Sequence, residues 1–264
     1  MPDNGNKNRI LENVVEKISF IEKLDTALVE NGLDTLDDVQ KEQMFLLAER
    51  LVEVNAVMNL TAICDEDGII LRHFVDSLLI SRYFAYGASV IDVGCGAGFP
   101  TLPLAIARPD LKILALDATE KRIRYVDETA KMLGLSNVSA VAARAEELAK
   151  MPEHREKYDY ATARAVAALP MLCELTIPFV KIGGSLVAMK AKGANEEFEA
   201  ARSAIRQLCG SASLAGTLLE EARLCGNVNG ERIDENRTVI LMKKLGGTPK
   251  TFPRKFAQIK KNPL

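Results

Sequence analysis

The stretch Asp92-Val93-Gly94-Cys95-Gly96-Ala97-Gly98-Phe99-Pro100 decides the fold. An apolar run, Ser89–Val93, leads into three glycines at every second position, and a helix can begin near Pro100. Glycines at such a turn let the chain bend sharply and let a ligand approach the backbone with no Cβ in the way. The next apolar run, Lys112–Leu116, ends at Asp117. A carboxylate there can accept two hydrogen bonds from ribose hydroxyls. Strand, glycine turn, helix and acid together predict a nucleoside cofactor.

Outward from this turn the same texture continues. Strands are expected at Ser89–Val93, Lys112–Leu116, Val138–Ala142, Tyr158–Ala163 and Ser185–Met189, with two more near Ala222–Val228 and Thr238–Met242. Helices are expected between them at Leu102–Ala107, Lys121–Leu133 and Asn195–Leu208. Alternation of this kind implies an α/β domain, a parallel sheet with helices on both faces, whose ligands bind beyond the carboxyl ends of the strands. Residues 1–88 read as a helical extension: Ile10 to Glu30 interleaves apolar and charged residues, and Met44, Leu47, Ala48, Leu51 and Met58 form one stripe. A third helix is expected over Arg72 to Phe84. The expected division is 1–88 extension, 89–245 main domain and 246–264 tail.

Composition narrows the classes. Apolar residues make up 48% and charged residues 27% of 264, enough for a large core. No run reaches the roughly 18 apolar residues of a membrane span, and the polar opening lacks a secretory signal, so a cytoplasmic protein without membrane contact is expected, and a monomer. Five scattered cysteines and two histidines form no metal-ligand pattern; no metal site is expected. The net charge of −2 hides an asymmetry: Lys243, Lys244, Lys250, Arg254, Lys255, Lys260 and Lys261 meet no acid before Leu264, leaving 27 basic against 36 acidic residues elsewhere. With Pro249, Pro253 and Pro263 and the aromatics Phe252 and Phe256, this tail reads as extended and non-helical. It suits either phosphates and bases or plain solubilisation.

The spacing of the glycines selects among cofactors. A dinucleotide fingerprint is G-x-G-x-x-G, whereas here Gly94, Gly96 and Gly98 run G-x-G-x-G and Phe99 takes the sixth place. This pattern is similar to class I S-adenosylmethionine-dependent methyltransferases; a dehydrogenase of related topology is the rival. Arg144-Ala145-Glu146 follows the third strand, Thr162-Ala163-Arg164-Ala165 ends the fourth, and Met189-Lys190-Ala191-Lys192-Gly193 ends the fifth. Arg164 and Lys190 therefore stand as two cations at the carboxyl edge of the sheet, as site residues or as solvated strand ends.

Taken in order, Asn59-Leu60-Thr61-Ala62-Ile63, Arg72-His73-Phe74-Val75-Asp76-Ser77-Leu78, the glycine turn, Arg144-Ala145-Glu146, Thr162–Ala165, Lys190 before Gly193 and Arg237 ahead of the last strand resemble the RsmG family, also called glucose-inhibited division protein B. The tail Thr248–Lys255 looks like the basic ending of its Gram-positive members. The resemblance spans about residues 35 to 260. It departs where the family often has tryptophan before the asparagine matched by Asn55, since this chain has Val54.

That resemblance implies a Rossmann-like class I methyltransferase sheet that methylates guanine N7 in 16S ribosomal RNA of the small subunit. Gly94, Gly96, Gly98, Phe99, Asp117, Ala145, Glu146 and Arg164 are expected at S-adenosylmethionine. Asn59, Arg72, His73, Asp76, Lys190 and Arg237 are expected at the RNA. Guanine N7 offers a lone pair and no proton, so no general base is required and no catalytic residue is named; alignment supplies the rate. Asp76, three residues along, could orient His73, itself either site residue or structural histidine. Another RNA, a small molecule or a non-catalytic ribosome-associated role remain as alternatives.

Overall fold

The central strand forms because it has apolar residues for both faces. In β1 (Ser89–Val93), Val90, Ile91 and Val93 are buried, as in strands covered by helices on either side. In the computed structural model, which describes residues 4–164, 166–190, 193–209 and 217–264, β2 (Lys112–Asp117) and β4 (Tyr158–Arg164) flank it in parallel, with Val90 opposite Ile113 on one side and Tyr160 on the other. β3 (Val138–Ala142) lies outside β2, and β5 (Val180–Lys190) outside β4. Ala165, Ala191 and Lys192 of the strand-end motifs, and residues 1–3, lie outside the described residues.

The far side of the sheet corrects the expectation of a wholly parallel arrangement. β6 (Thr217–Val228) and β7 (Glu231–Lys243) form an antiparallel hairpin, and β7 runs antiparallel to β5, giving the order β3-β2-β1-β4-β5-β7-β6. The cause is Asn229-Gly230, both at positive φ (51° and 83°), a two-residue turn whose twist matches that of the paired strands. The dipeptide is a sequence signal the strand expectation passed over, and both strands extend well beyond the expected segments.

Two cores sandwich the sheet. Helices α1 (Asn4–Glu30), α2 (Asp38–Met58), α5 (Thr101–Ala107) and α6 (Glu120–Met132) cover one face, sharing a core that runs from Phe20, Leu24 and Met44 to Val90, Leu102 and Ile113. The short α7 (Ala145–Leu148), α8 (Leu169–Thr176) and α9 (Ala194–Leu208) cover the other through Leu148, Leu172 and Ile205. Between extension and sheet, α3 (Glu66–Gly68) continues as a π-helical segment, Ile69–Val75, and a last turn, α4 (Asp76–Leu78); a 3₁₀ turn follows at Ser81–Tyr83. The expected single helix over Arg72 to Phe84 thus starts earlier and carries a π segment, a feature frequent at functional sites.

The tail is neither extended throughout nor free. Lys244, 1% exposed, donates to Glu156 at 2.7 Å and to the carbonyl of Val180. Arg254 forms a two-pronged pair with the buried carboxylate of Glu174. Residues Phe256–Lys261 form a helix, α10, with Ile259 buried. Two of the seven cations are therefore paired within the fold, because the buried carboxylate of Glu174 and the buried ammonium of Lys244 each require a charged partner.

Candidate functional site

Strand order reverses at β1, with β2 on one side and β4 on the other, and it is beyond the carboxyl ends of the strands at such a switch point that open α/β sheets bind ligands. The glycine turn follows the carboxyl end of β1, with φ of 78°, 57° and 85° at Gly94, Gly96 and Gly98. The three differ in what surrounds them. A Cβ on Gly98 would lie 2.6 Å from Leu102 Cδ1, so this glycine lets α5 pack. A Cβ on Gly94 would meet Val166 at 2.7 Å, whereas Gly96 faces open space. The N–H of Gly96 donates to Asp117 Oδ2 at 3.1 Å, and that of Thr119 to Asp117 Oδ1 at 2.8 Å. Asp117 is thereby fixed beside the glycine turn.

Beneath the turn, Asp92 is fully buried and accepts a 2.6 Å hydrogen bond from Thr101 on Oδ2. Among the described residues its Oδ1 has no partner, nor does the hydroxyl of Thr162 on the neighbouring strand. Burial pushes the carboxyl up to about 6, against the pull of Thr101 and Arg164. Ala145 and Glu146 open α7 after β3, and Glu146 is buried.

A second group of residues lies where α4 and the π segment meet β4 and β7. The ring of His73 stacks on Phe99, centroids 4.4 Å apart and planes within 8°. Arg164 covers Phe99 at 5.4 Å and approaches His73 Nδ1 at 3.3 Å. A guanidinium can only donate, so Nδ1 accepts and the imidazole proton sits on Nε2, facing the Thr61 hydroxyl at 3.0 Å. Burial, and secondarily the charge of Arg164, lowers His73 to about 3. The ring is a neutral wall.

Asp76 does not orient His73. Its two oxygens accept from Arg164 at 3.1 Å and Arg237 at 2.7 Å, because guanidinium donors bind a carboxylate more strongly than a neutral ring. Glu235 joins Arg237 and Arg72, and Lys190 is paired with Glu197 at 2.8 Å and with the Ala167 carbonyl. Ile63, Arg72, His73, Asp76, Arg164, Met189, Lys190 and Arg237 line one cleft of about 400 Å³.

The structure thus gathers five of the six residues expected at the RNA, and places Arg164, expected at the cofactor, among them. Asn59 stands apart: exposed, it ends α2 in the left-handed conformation, φ 50°, bonded to the Asn55 carbonyl. Thr61, Asn55 and Glu235 were not singled out as site residues. Asn55 Oδ1 accepts from the Thr61 N–H at 2.8 Å and so braces the Thr61–His73 contact. The quoted segment Asn59–Ile63 contained Thr61, yet nothing in its spacing marks a hydroxyl that meets a histidine twelve residues on.

The family model and the sequence relatives agree on one family. The family model described as rRNA small subunit methyltransferase G matches residues 40–223. "Ribosomal RNA small subunit methyltransferase G" of Halalkalibacterium halodurans is 41% identical over 239 residues, 90% of this chain and 96% of that one. The protein of the same name from Acetivibrio thermocellus is 44% identical over 230 residues, 87% and 90% of the two chains. Among solved structures the cyclase SpnF superposes with a TM-score of 0.51 at 15% identity, over 81% of this chain and 98% of that one; this likeness speaks to the fold.

Proposed function

The chain belongs to the GidB family of rRNA small subunit methyltransferase G proteins, and from that premise we propose that it methylates guanine N7 in 16S ribosomal RNA, using S-adenosylmethionine. One observation carries the reading: an open glycine cradle with a fixed acid, Gly96 and Asp117 at 3.1 Å, adjoins a cleft walled by cations. Asp117 retains acceptor capacity for ribose hydroxyls after its two backbone bonds. The orphaned Asp92 Oδ1 suits a cationic or amine-bearing ligand. Gly94, Phe99, Ala145 and Glu146 complete the cradle. Bound there, the sulfonium supplies the methyl group.

The cleft favours an acceptor that needs no deprotonation. Asp76, the one carboxylate in its lining, is committed to two arginines, and His73 is neutral and far too weak a base near pH 7. Ring nitrogen N7 asks only for in-line alignment. Arg72, Arg237 and Lys190 hold phosphates by exchanging Glu235 and Glu197 for the RNA, Arg237 keeping its bond to Asp76, while Arg164 and the Phe99–His73 stack form the floor under the base. The proposed setting is a monomer acting on the small subunit in the cytoplasm; among the described residues no helix is long and apolar enough to cross a membrane. The test is incubation with labelled cofactor and 30S particles, followed by nucleoside mass spectrometry. Absence of new 7-methylguanosine would refute the assignment.

A further inference from the structure

The basic tail is anchored against α8 and, at Phe256, reaches the loop that opens α7. Arg155 collects the carbonyls of Thr248 at 2.8 Å and Phe252 at 2.9 Å, Arg254 grips Glu174, and Ile259 is buried. Phe256, at the start of α10, lies under the guanidinium of Arg144 at 5.4 Å. Arg144 immediately precedes Ala145 and Glu146 and occupies the N-cap of α7.

That loop is held mainly from its inner side, and its N-terminal end has less to fix it. α7 has four residues, below the length at which a helix sustains itself. Its N-cap makes no side-chain hydrogen bond to the first turn. Leu148 and Ala149 fix its inner side in the core, and the Phe256 ring meets its outer side at Arg144.

We infer that the C-terminal segment is a strap for the cofactor site, in which Phe256 acts through Arg144 as a positioning residue for Ala145 and Glu146. The inference rests on the proposed binding of S-adenosylmethionine at that loop. When the stack is lost the loop spends part of its time in other conformations, and apparent affinity falls with the fraction that is competent. The basic character of the tail would then serve its docking as well as any contact with RNA.

The test is calorimetric titration of S-adenosylmethionine into the full-length protein and its variants, alongside thermal melting and binding of a 16S hairpin RNA without cofactor. Phe256→Ala should weaken cofactor binding about two- to fivefold, the worth of an exposed cation–π contact. KM for the cofactor should rise with kcat at saturation unchanged, and RNA affinity should stay at the wild-type value. Phe256→Tyr, which keeps the ring face, should restore binding. Wild-type cofactor affinity in Phe256→Ala would overturn the strap. So would a loss of RNA affinity alone, or a fall in melting temperature with no change in cofactor affinity. If the wild-type protein itself takes up no S-adenosylmethionine, the cofactor reading fails first, and the strap with it.

Discussion

Asp76 and Arg237 are joined at 2.7 Å between Oδ1 and Nε, tying the helical extension to the last strand across 161 residues of sequence. The other oxygen of Asp76 holds Arg164, so one carboxylate carries two guanidinium groups, each at most 17% exposed. Removing it leaves two largely buried cations short of a partner. Asp76→Ala should cost about 3 kcal/mol in urea denaturation, and a loss below about 0.5 kcal/mol would mean that water or Glu235 replaces the carboxylate.

His73 governs acid stability. An unfolded histidine titrates near 6.5, whereas the folded ring stays neutral down to about 3. Its folded value is depressed, so nothing is lost above pH 6.5; below it the unfolded chain binds a proton the folded one refuses. Stability should fall by about 1.4 kcal/mol per pH unit between 6.5 and 3 from this group alone. His73→Gln should flatten that slope in denaturation curves recorded at pH 7, 6 and 5. Parallel curves for the two proteins would contradict the buried neutral state.

Asp92 has the opposite sign. Its folded value is raised, from 3.8 to about 6, so the stability it contributes is complete below pH 3.8 and is lost as pH rises through 6. Asp92→Asn should therefore stabilise the ligand-free protein at pH 7.5 and confer little at pH 4, by thermal melting at each pH. Equal effects at both would show that the carboxylate's charge costs nothing.

The glycines separate fold from binding. Gly98→Ala drives a methyl group into Leu102 and should lower the melting temperature markedly, with an unfolding cost of about 2 kcal/mol from strain and overpacking. Gly96→Ala meets open space and should cost only the modest penalty of a left-handed alanine, about 1 kcal/mol. On the proposed reading its effect should fall on S-adenosylmethionine affinity, read by calorimetry. A reversal of the two phenotypes would exchange their roles.

Asn31 shows how the hairpin edge is closed. Its carboxamide donates to the Cys225 carbonyl at 2.7 Å and accepts from the Cys225 N–H at 2.9 Å, as a neighbouring strand would. Asn31→Leu should destabilise by about 1–3 kcal/mol by stranding both groups. A neutral substitution in urea titration would mean that water pairs with this edge.

The glycine turn, Asp117 and the alternation of apolar runs with helical patterns were legible because their causes are local: backbone conformations that only glycine adopts cheaply, and a periodicity the chain carries wherever it folds. From these followed the sheet and the place of the glycine turn beside Asp117. The tail misled because charge composition does not reveal which cations meet a buried acid; Glu174 lies 80 residues from Arg254. Nor could spacing show that Asp76 would choose Arg164 and Arg237 over His73, or that Phe99 would lie flat against that ring. Those contacts arise between segments brought together only when the extension and the sheet share one core, and burial there decides which charges pair and which rings stay neutral.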